Sequence, residues 1–174
     1  MGRSIHMKNI ILIGMPAVGK STVGVVIAKR LGYDFIDTDL LIQKQEKRLL
    51  KDIIAQEGNE RFLEIENQVN RDLVAERAVI SPGGSVVYCE EAMNHYKEIG
   101  TVIYLHAPYA EIQKRIRDTE SRGVVLPDGK TLQDVYEERR ILFETYADYT
   151  ISEEGIGLDE TIEKVLELIR KIGG

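Results

Sequence analysis

The chain has 174 residues, of which 43% are hydrophobic and 30% are charged, and its formal net charge is −6. This length is typical of one domain with a single core, and the acidic balance argues against a nucleic-acid-binding surface, which needs clustered basic residues. The one cysteine, Cys89, excludes an internal disulfide, and no apolar run is as long as a membrane span, so we expect a cytoplasmic protein. We also expect it to be a monomer.

Short apolar runs alternate with helical patterns along the chain after residues 1–6, which we interpret as a vector-derived leader. The apolar runs predict buried strands at residues 10–13, 34–36, 78–80, 101–105 and 149–151. Helical patterns lie at residues 21–31, 39–56 in pieces, 59–75, 90–97, 109–118 and 131–146, and a last amphipathic one ends at Gly173. The alternation predicts an α/β protein with a five-stranded parallel sheet flanked by helices.

The first predicted strand leads into a segment that fits the phosphate-loop pattern G-x-x-x-x-G-K-[ST]. In such a loop, backbone N–H groups surround the phosphates, Lys20 reaches the β and γ oxygens, and the Ser21 hydroxyl ligates Mg²⁺. A chance match is the alternative, but a strand precedes the segment and a helix follows it. We therefore predict that a nucleoside triphosphate binds to Gly14, Pro16, Ala17, Val18, Gly19, Lys20, Ser21 and Thr22.

Two carboxylates, Asp37 and Asp39, stand where the second predicted strand ends. In an open α/β sheet this is the ligand-binding edge, beside the first strand-to-helix loop. One carboxylate can serve Mg²⁺ while the other meets an acceptor hydroxyl as orienting group or general base. The structural alternative is that they are a turn residue and a helix N-cap.

The segment Ser-Pro-Gly-Gly-Ser at residues 81–85 follows the third predicted strand and reaches the same edge. Gly83 and Gly84 would let the backbone approach a ligand closely. An ordinary tight turn would have a similar composition, and these residues alone leave that alternative open.

Three arginines are candidates for holding phosphate or carboxylate oxygens, namely Arg115, Arg122 and Arg139, although a helical arginine is more often a solvated surface residue. Arg122 lies in residues 120–130, a glycine- and proline-containing interruption between helical patterns. We predict that this segment is a mobile lid, with a surface loop as the alternative.

Glu66 lies on the apolar face of its predicted helix. An unpaired carboxylate in that position would be costly. We therefore expect Glu66 to have a partner, and an arginine of the site is the candidate.

These motifs together resemble the shikimate kinase family, small-molecule kinases related to the nucleoside monophosphate kinases, over residues 9–168. The phosphate loop and the Asp-Thr-Asp segment at residues 37–39 carry the resemblance, and Gly58, Phe62 and Glu66 match the family's substrate-binding helix. The resemblance implies a phosphate-loop kinase domain in residues 7–174. Its implied reaction is ATP-dependent, Mg²⁺-assisted phosphoryl transfer to a small hydroxy acid, from shikimate to shikimate 3-phosphate, in aromatic amino acid biosynthesis.

The resemblance also assigns roles to individual residues. It implies that Lys20, Asp39 and Arg122 act in catalysis, and that Ser21 and Asp37 serve Mg²⁺. It adds Arg115 and Arg122 to the ATP contacts. The implied acceptor-binding residues are Asp39, Leu63, Gly83, Gly84 and Arg139.

The chain departs from the family pattern on the acceptor and lid side only. Leu63 stands where the family has a carboxylate-binding arginine, the family's three-glycine run is cut to Gly83 and Gly84, and Gly-Val-Val-Leu follows Arg122. A kinase of the same fold with a different hydroxylated acceptor therefore stays open. A GTPase switch does not fit, because the sequence has neither an Asn/Thr-Lys-x-Asp nor an Asp-x-x-Gly element.

Overall fold

The described part of the chain contains a sheet of five strands, all parallel, as predicted. The computed structural model describes residues 8–118 and 126–173. The strands are β1 (Asn9–Ile13), β2 (Asp34–Asp37), β3 (Ala78–Ser81), β4 (Gly100–His106) and β5 (Tyr149–Ser152). Each is one or two residues longer than the apolar run that predicted it.

Seven α-helices flank this sheet within the described residues. They are α1 (Lys20–Leu31), α2 (Thr38–Glu46), α3 (Leu50–Arg71), α4 (Glu90–Ile99), α5 (Tyr109–Asp118), α6 (Leu132–Tyr146) and α7 (Leu158–Gly173). Gly58 interrupts α3 with a left-handed backbone angle, φ 85°, which favours glycine. The pattern that predicted a helix up to residue 75 was wrong at its end, because α3 stops at Arg71.

The strand order is β2-β3-β1-β4-β5, so β1 lies in the middle of the sheet. All five residues of β1 are buried, as expected for a strand covered by helices on both faces. The prediction of buried strands was wrong for β2 and β5, which contain no buried residue because they lie at the two edges of the sheet. Since every neighbouring pair is parallel, the carboxyl ends of β1, β2 and β3 meet at one edge. The phosphate loop, the two aspartates and the glycine pair follow these three strands and are brought together there.

Helices α6 and α7 complete the core on the β4 and β5 side. The Phe143 ring of α6 stacks on Tyr104 of β4 with 5.0 Å between ring centroids. From α7, Val165 and Leu166 are buried in the same core, which agrees with the amphipathic pattern of the last helix.

Candidate active site

The phosphate loop links β1 to α1 and depends on its glycines. A Cβ on Gly14 would lie 2.7 Å from the Leu105 carbonyl oxygen, so a side chain there would collide with β4. Gly19 has φ 85° and immediately precedes the first residue of α1, so the loop ends at a helix N-terminus. N–H groups at such an end are oriented to bind an anion.

Lys20, the first residue of α1, folds back over this loop. Its ammonium donates to the carbonyl oxygens of Gly14, at 2.8 Å, and Met15, at 3.0 Å. Burial lowers the pKa of Lys20 to about 8, and the nearby charge of Asp39 opposes that shift. A buried ammonium held above phosphate-binding N–H groups is suited to neutralise charge on a transferring phosphoryl group.

Asp37 and Asp39 lie at the end of β2 and the start of α2, beside the loop. Asp37 is the N-cap of α2, since its Oδ1 accepts from the N–H groups of Asp39 and Leu40, whereas the structural alternative had given the cap to Asp39. Asp39 lies in the first turn of α2, where burial, followed by the charge of Asp37, raises its pKa to about 6. Asp39 is therefore mainly ionised near neutral pH and can accept a proton.

Gly83 and Gly84 follow β3 and line the same cavity as these aspartates. A Cβ on Gly83 would lie 2.8 Å from Asp39 Oδ1 and 3.1 Å from Glu66 Oε2. A Cβ on Gly84 would lie 2.8 Å from the Pro16 ring. A side chain at Gly84 would collide with the Pro16 ring, and a side chain at Gly83 would displace the Asp39 carboxylate, so both positions favour glycine.

Glu66 is fully buried, and its hydrogen-bond partner is not the arginine we expected. Its Oε1 accepts from the Ser85 hydroxyl at 2.6 Å, while Oε2 has no hydrogen-bond partner in the described part of the chain. Burial raises the pKa of Glu66 to about 8; the Ser85 bond opposes this shift, Asp39 adds to it and Arg139 opposes it. The carboxyl group is therefore held largely neutral, so an ion pair is not needed to keep it in the core.

Arg139 comes from α6 and is almost completely buried, with 6% of its surface exposed. Its Nη1 lies 3.1 Å from the position of a Cβ on Gly84, and its guanidinium lies over the Tyr88 ring, 5.5 Å from the centroid. The Nε atom is buried without a hydrogen-bond partner among the described residues. A buried guanidinium with an unused donor is suited to bind an anionic group of a ligand.

Arg115 is held beside the phosphate loop by several bonds. It donates to the Ala17 carbonyl oxygen at 3.3 Å, to Glu153 at 3.1 Å and to Glu111 at 3.3 Å. Glu153 is buried, and Ala17 has a left-handed φ of 72°, unusual for a residue other than glycine. Arg115 therefore joins α5, the loop and the segment after β5.

One cavity of about 670 Å³ unites most of the predicted site residues. Its lining includes Pro16, Ala17, Gly19, Lys20, Ser21, Thr22, Asp37, Asp39, Leu63, Gly83, Gly84 and Arg139. Gly14, Val18 and Arg115 are not among the residues that line it. The cavity is large enough for a ligand of cofactor size.

Several lining residues were missed by the sequence analysis. Gln43, Lys51, Asn59 and Tyr88 are polar or aromatic side chains of the cavity wall that belong to no recognised motif. A polar residue beside an apolar helical stripe was the only signal for Lys51 and Asn59, and that signal is common on surfaces.

Part of the predicted lid and all of the predicted leader lie outside the described residues. Arg122 is one of these residues, so its role stays a prediction. The described end of the lid segment contributes Pro127 to the cavity wall, directly before the capping box that Thr131 and Asp134 form at the start of α6.

The cavity contains oxygen ligands that suit Mg²⁺. Ser21 and Asp37 both line it, and the Oδ2 atom of Asp37 is not used in the N-cap bonds. No cluster of three or more His, Cys, Asp or Glu side chains able to hold a metal occurs in residues 8–118 and 126–173. Ser21 and Asp37 would suffice for Mg²⁺, because proteins hold this ion with one or two side chains together with substrate phosphates.

Comparison with known proteins places these features in a family. The shikimate kinase family model matches residues 16–170. The chain is 34% identical to shikimate kinase of Persephonella marina over 94% of this chain and 100% of that one. Among solved structures, shikimate kinase from Acinetobacter baumannii in complex with shikimate has a TM-score of 0.86 and 27% identity, covering 95% of this chain and 94% of that one. Shikimate kinase from Aquifex aeolicus has a TM-score of 0.78 and 30% identity, covering 95% and 99%.

The match to the family model covers β2 to β5 and begins within the phosphate loop, at Pro16. None of the described helices is long and apolar enough to cross a membrane. The chain belongs to the shikimate kinase family, and it is a phosphotransferase with an alcohol group as acceptor that uses ATP and Mg²⁺.

Proposed function

We propose that this chain transfers the γ-phosphoryl group of ATP to shikimate and forms shikimate 3-phosphate, acting as a cytoplasmic monomer. The observation that carries the proposal is the position of Asp39 and Arg139. Each approaches one residue of the Gly83–Gly84 pair, in the cavity that also contains the phosphate loop. A hydroxy acid needs such a pair of groups, since one must meet its hydroxyl and the other its carboxylate.

The residues of the cavity have separate roles in this proposal. Lys20 and the N–H groups of the loop bind the phosphates and stabilise the charge that develops in transfer. Ser21 and Asp37 would hold Mg²⁺, which would help to neutralise the charge of the phosphates. Asp39 orients the acceptor hydroxyl and takes its proton, because its raised pKa still leaves it ionised near neutral pH.

Arg139 binds the carboxylate of the acceptor. Its guanidinium is already buried, and its position is fixed against the Tyr88 ring. Little side-chain entropy is lost when the ion pair forms, and a planar guanidinium matches a carboxylate with two parallel hydrogen bonds. Shikimate is also the ligand named for the solved Acinetobacter baumannii relative.

A coupled assay of ADP release tests the proposal across acceptors: shikimate, quinate, gluconate, homoserine and nucleoside monophosphates. Shikimate should give the highest kcat/KM, and omission of Mg²⁺ should abolish ADP release. A higher kcat/KM for any other acceptor would contradict the assignment of shikimate and leave the family membership intact.

A second candidate is a kinase of the same kind for another small hydroxylated acceptor. The observation that favours it is Leu63, which lines the cavity and offers no charge to a carboxylate. Leu63→Arg distinguishes the two cases. It should lower the KM for shikimate with little loss of kcat if shikimate is the acceptor, as expected for added uniform binding. If the true acceptor places an apolar group against Leu63, the same change should impair that acceptor.

A further inference from the structure

The cavity contains more negative charge than positive charge once its ligands are bound. Asp37 and Asp39 line it, and ATP adds a triphosphate, whose charge Mg²⁺ offsets only in part. An acceptor that is itself an anion is repelled by these groups, so its carboxylate must be balanced by cations of the wall. The site therefore depends on which basic side chains face the acceptor.

Three basic side chains line the cavity among the described residues, namely Lys20, Lys51 and Arg139. Lys20 is bonded to the loop carbonyls of Gly14 and Met15, on the phosphate side. Arg139 lies against Gly84 on the acceptor side. Lys51 is the third, and the function described so far gives it no role.

Lys51 lies in the first turn of α3, beside apolar residues of the cavity wall. Its neighbours Leu50 and Ile54 line the cavity with it, and the Leu50 N–H donates to Gln43 Oε1 at 3.2 Å, which holds this helix end to α2. The Lys51 side chain is exposed, and no salt bridge to it occurs within the described residues. An ammonium on a flexible stem beside apolar side chains can lie along them and still reach a bound anion.

We propose that Lys51 is a second binding residue for the carboxylate of the acceptor, acting together with Arg139. Leu63, on the same helix and in the same cavity, cannot supply this charge. The pair of cations makes the site selective for hydroxy acids over neutral hydroxyl compounds. This inference rests on the proposed function, because it assumes an acceptor with a carboxylate.

Three variants test the inference: Lys51→Met, Lys51→Arg and the control Lys44→Met. Methionine keeps an unbranched side chain and removes the charge, and arginine keeps the charge. Lys44 is also exposed, but it lines a separate depression on the other side of α2. Thermal melting first establishes that all variants are folded.

The assay compares shikimate with its neutral methyl ester. Lys51→Met should raise the KM for shikimate about tenfold, the loss expected for one charge-assisted contact, with a much smaller change in kcat and in the KM for ATP. Lys51→Arg should restore most of the binding, and Lys44→Met should match the unmodified protein. For the ester, measured by its KM or by its competitive inhibition constant, Lys51→Met should make no difference.

Three other outcomes would contradict the inference. An unchanged KM for shikimate in Lys51→Met shows that Lys51 does not bind the acceptor. An equal loss for shikimate and ester shows that the side chain acts by packing and not by charge. If none of the proteins, including the unmodified one, phosphorylates shikimate, the proposed function fails and this inference fails with it.

Discussion

Replacing Glu66 by glutamine should remove a marked pH dependence from the stability of this protein. Glu66 is fully buried, its Oε1 accepts from the Ser85 hydroxyl, and burial raises its pKa from 4.5 to about 8. In the unfolded chain the carboxyl group titrates near its ordinary value. Between these two pKa values the folded protein therefore holds a proton that the unfolded chain has lost.

The sign of the effect follows from this difference in bound protons. Unfolding releases a proton in this range, so the free energy of unfolding falls as the pH rises. The fall is about 1.4 kcal/mol per pH unit, or roughly 2 to 3 kcal/mol between about pH 5 and pH 7. It ends above a pH of about 8, where the folded protein also ionises at Glu66.

Urea unfolding of the unmodified protein and of Glu66→Gln at about pH 5, 6, 7 and 8 measures this contribution directly. Glutamine has nearly the shape of a neutral glutamic acid, so the difference between the two proteins isolates the titration of Glu66. As the pH rises, the free energy of unfolding of Glu66→Gln should increase relative to that of the unmodified protein. Glu60→Gln, an exposed change on the same helix, serves as the control and should run parallel to the unmodified protein. If the free energy of unfolding of Glu66→Gln also changes with pH in parallel with that of the unmodified protein, Glu66 is not held neutral in the folded protein.

Three further predictions concern the candidate active site. Lys20→Ala should lower kcat by several orders of magnitude while circular dichroism stays unchanged, because charge stabilisation supplies most of this catalysis; a folded variant with near-normal turnover would argue against the phosphate-loop role. The kcat/KM for the acceptor should fall as the pH drops through about 6, where Asp39 becomes protonated. Asp39→Asn should be slow at all pH values at saturating Mg²⁺, and a normal rate in that variant would exclude Asp39 as the proton acceptor. Hydrogen exchange in residues 120–130 should slow when ATP analogue and acceptor bind together, as a closing lid requires; equal exchange with and without ligands would count against a lid.

The parts of the fold that were predictable from the sequence are those set by local pattern. Each strand contains its predicted apolar run. Burial on both faces explains the runs of β1, β3 and β4, whereas the edge strands β2 and β5 contain no buried residue. The edge where Lys20, Asp39 and the Gly83–Gly84 pair meet followed from the rule that parallel strands end on one side of the sheet. Helix ends were less accurate, and α3 stops at Arg71 although its pattern continued to residue 75.

The contacts that were not predictable join residues far apart in the chain. Ser85 was recognised only as a departure from a glycine run, and its bond to Glu66 depends on how β3 and α3 pack. The same holds for Glu153, which is bonded to Arg115 across 38 positions of sequence. Periodicity gives the face on which a residue lies but not the partner it meets there, so these pairs required the structure.

The central claim is tested most directly by identifying the product formed from ATP, Mg²⁺ and shikimate. Phosphorus NMR and mass spectrometry of the reaction mixture identify the phosphorylated compound and the position of the phosphate. The account predicts shikimate 3-phosphate and ADP in equal amounts, and no phosphorylated shikimate with folded Lys20→Ala protein. Release of ADP without phosphorylated shikimate, or phosphorylation of a different acceptor in preference to shikimate, would contradict it.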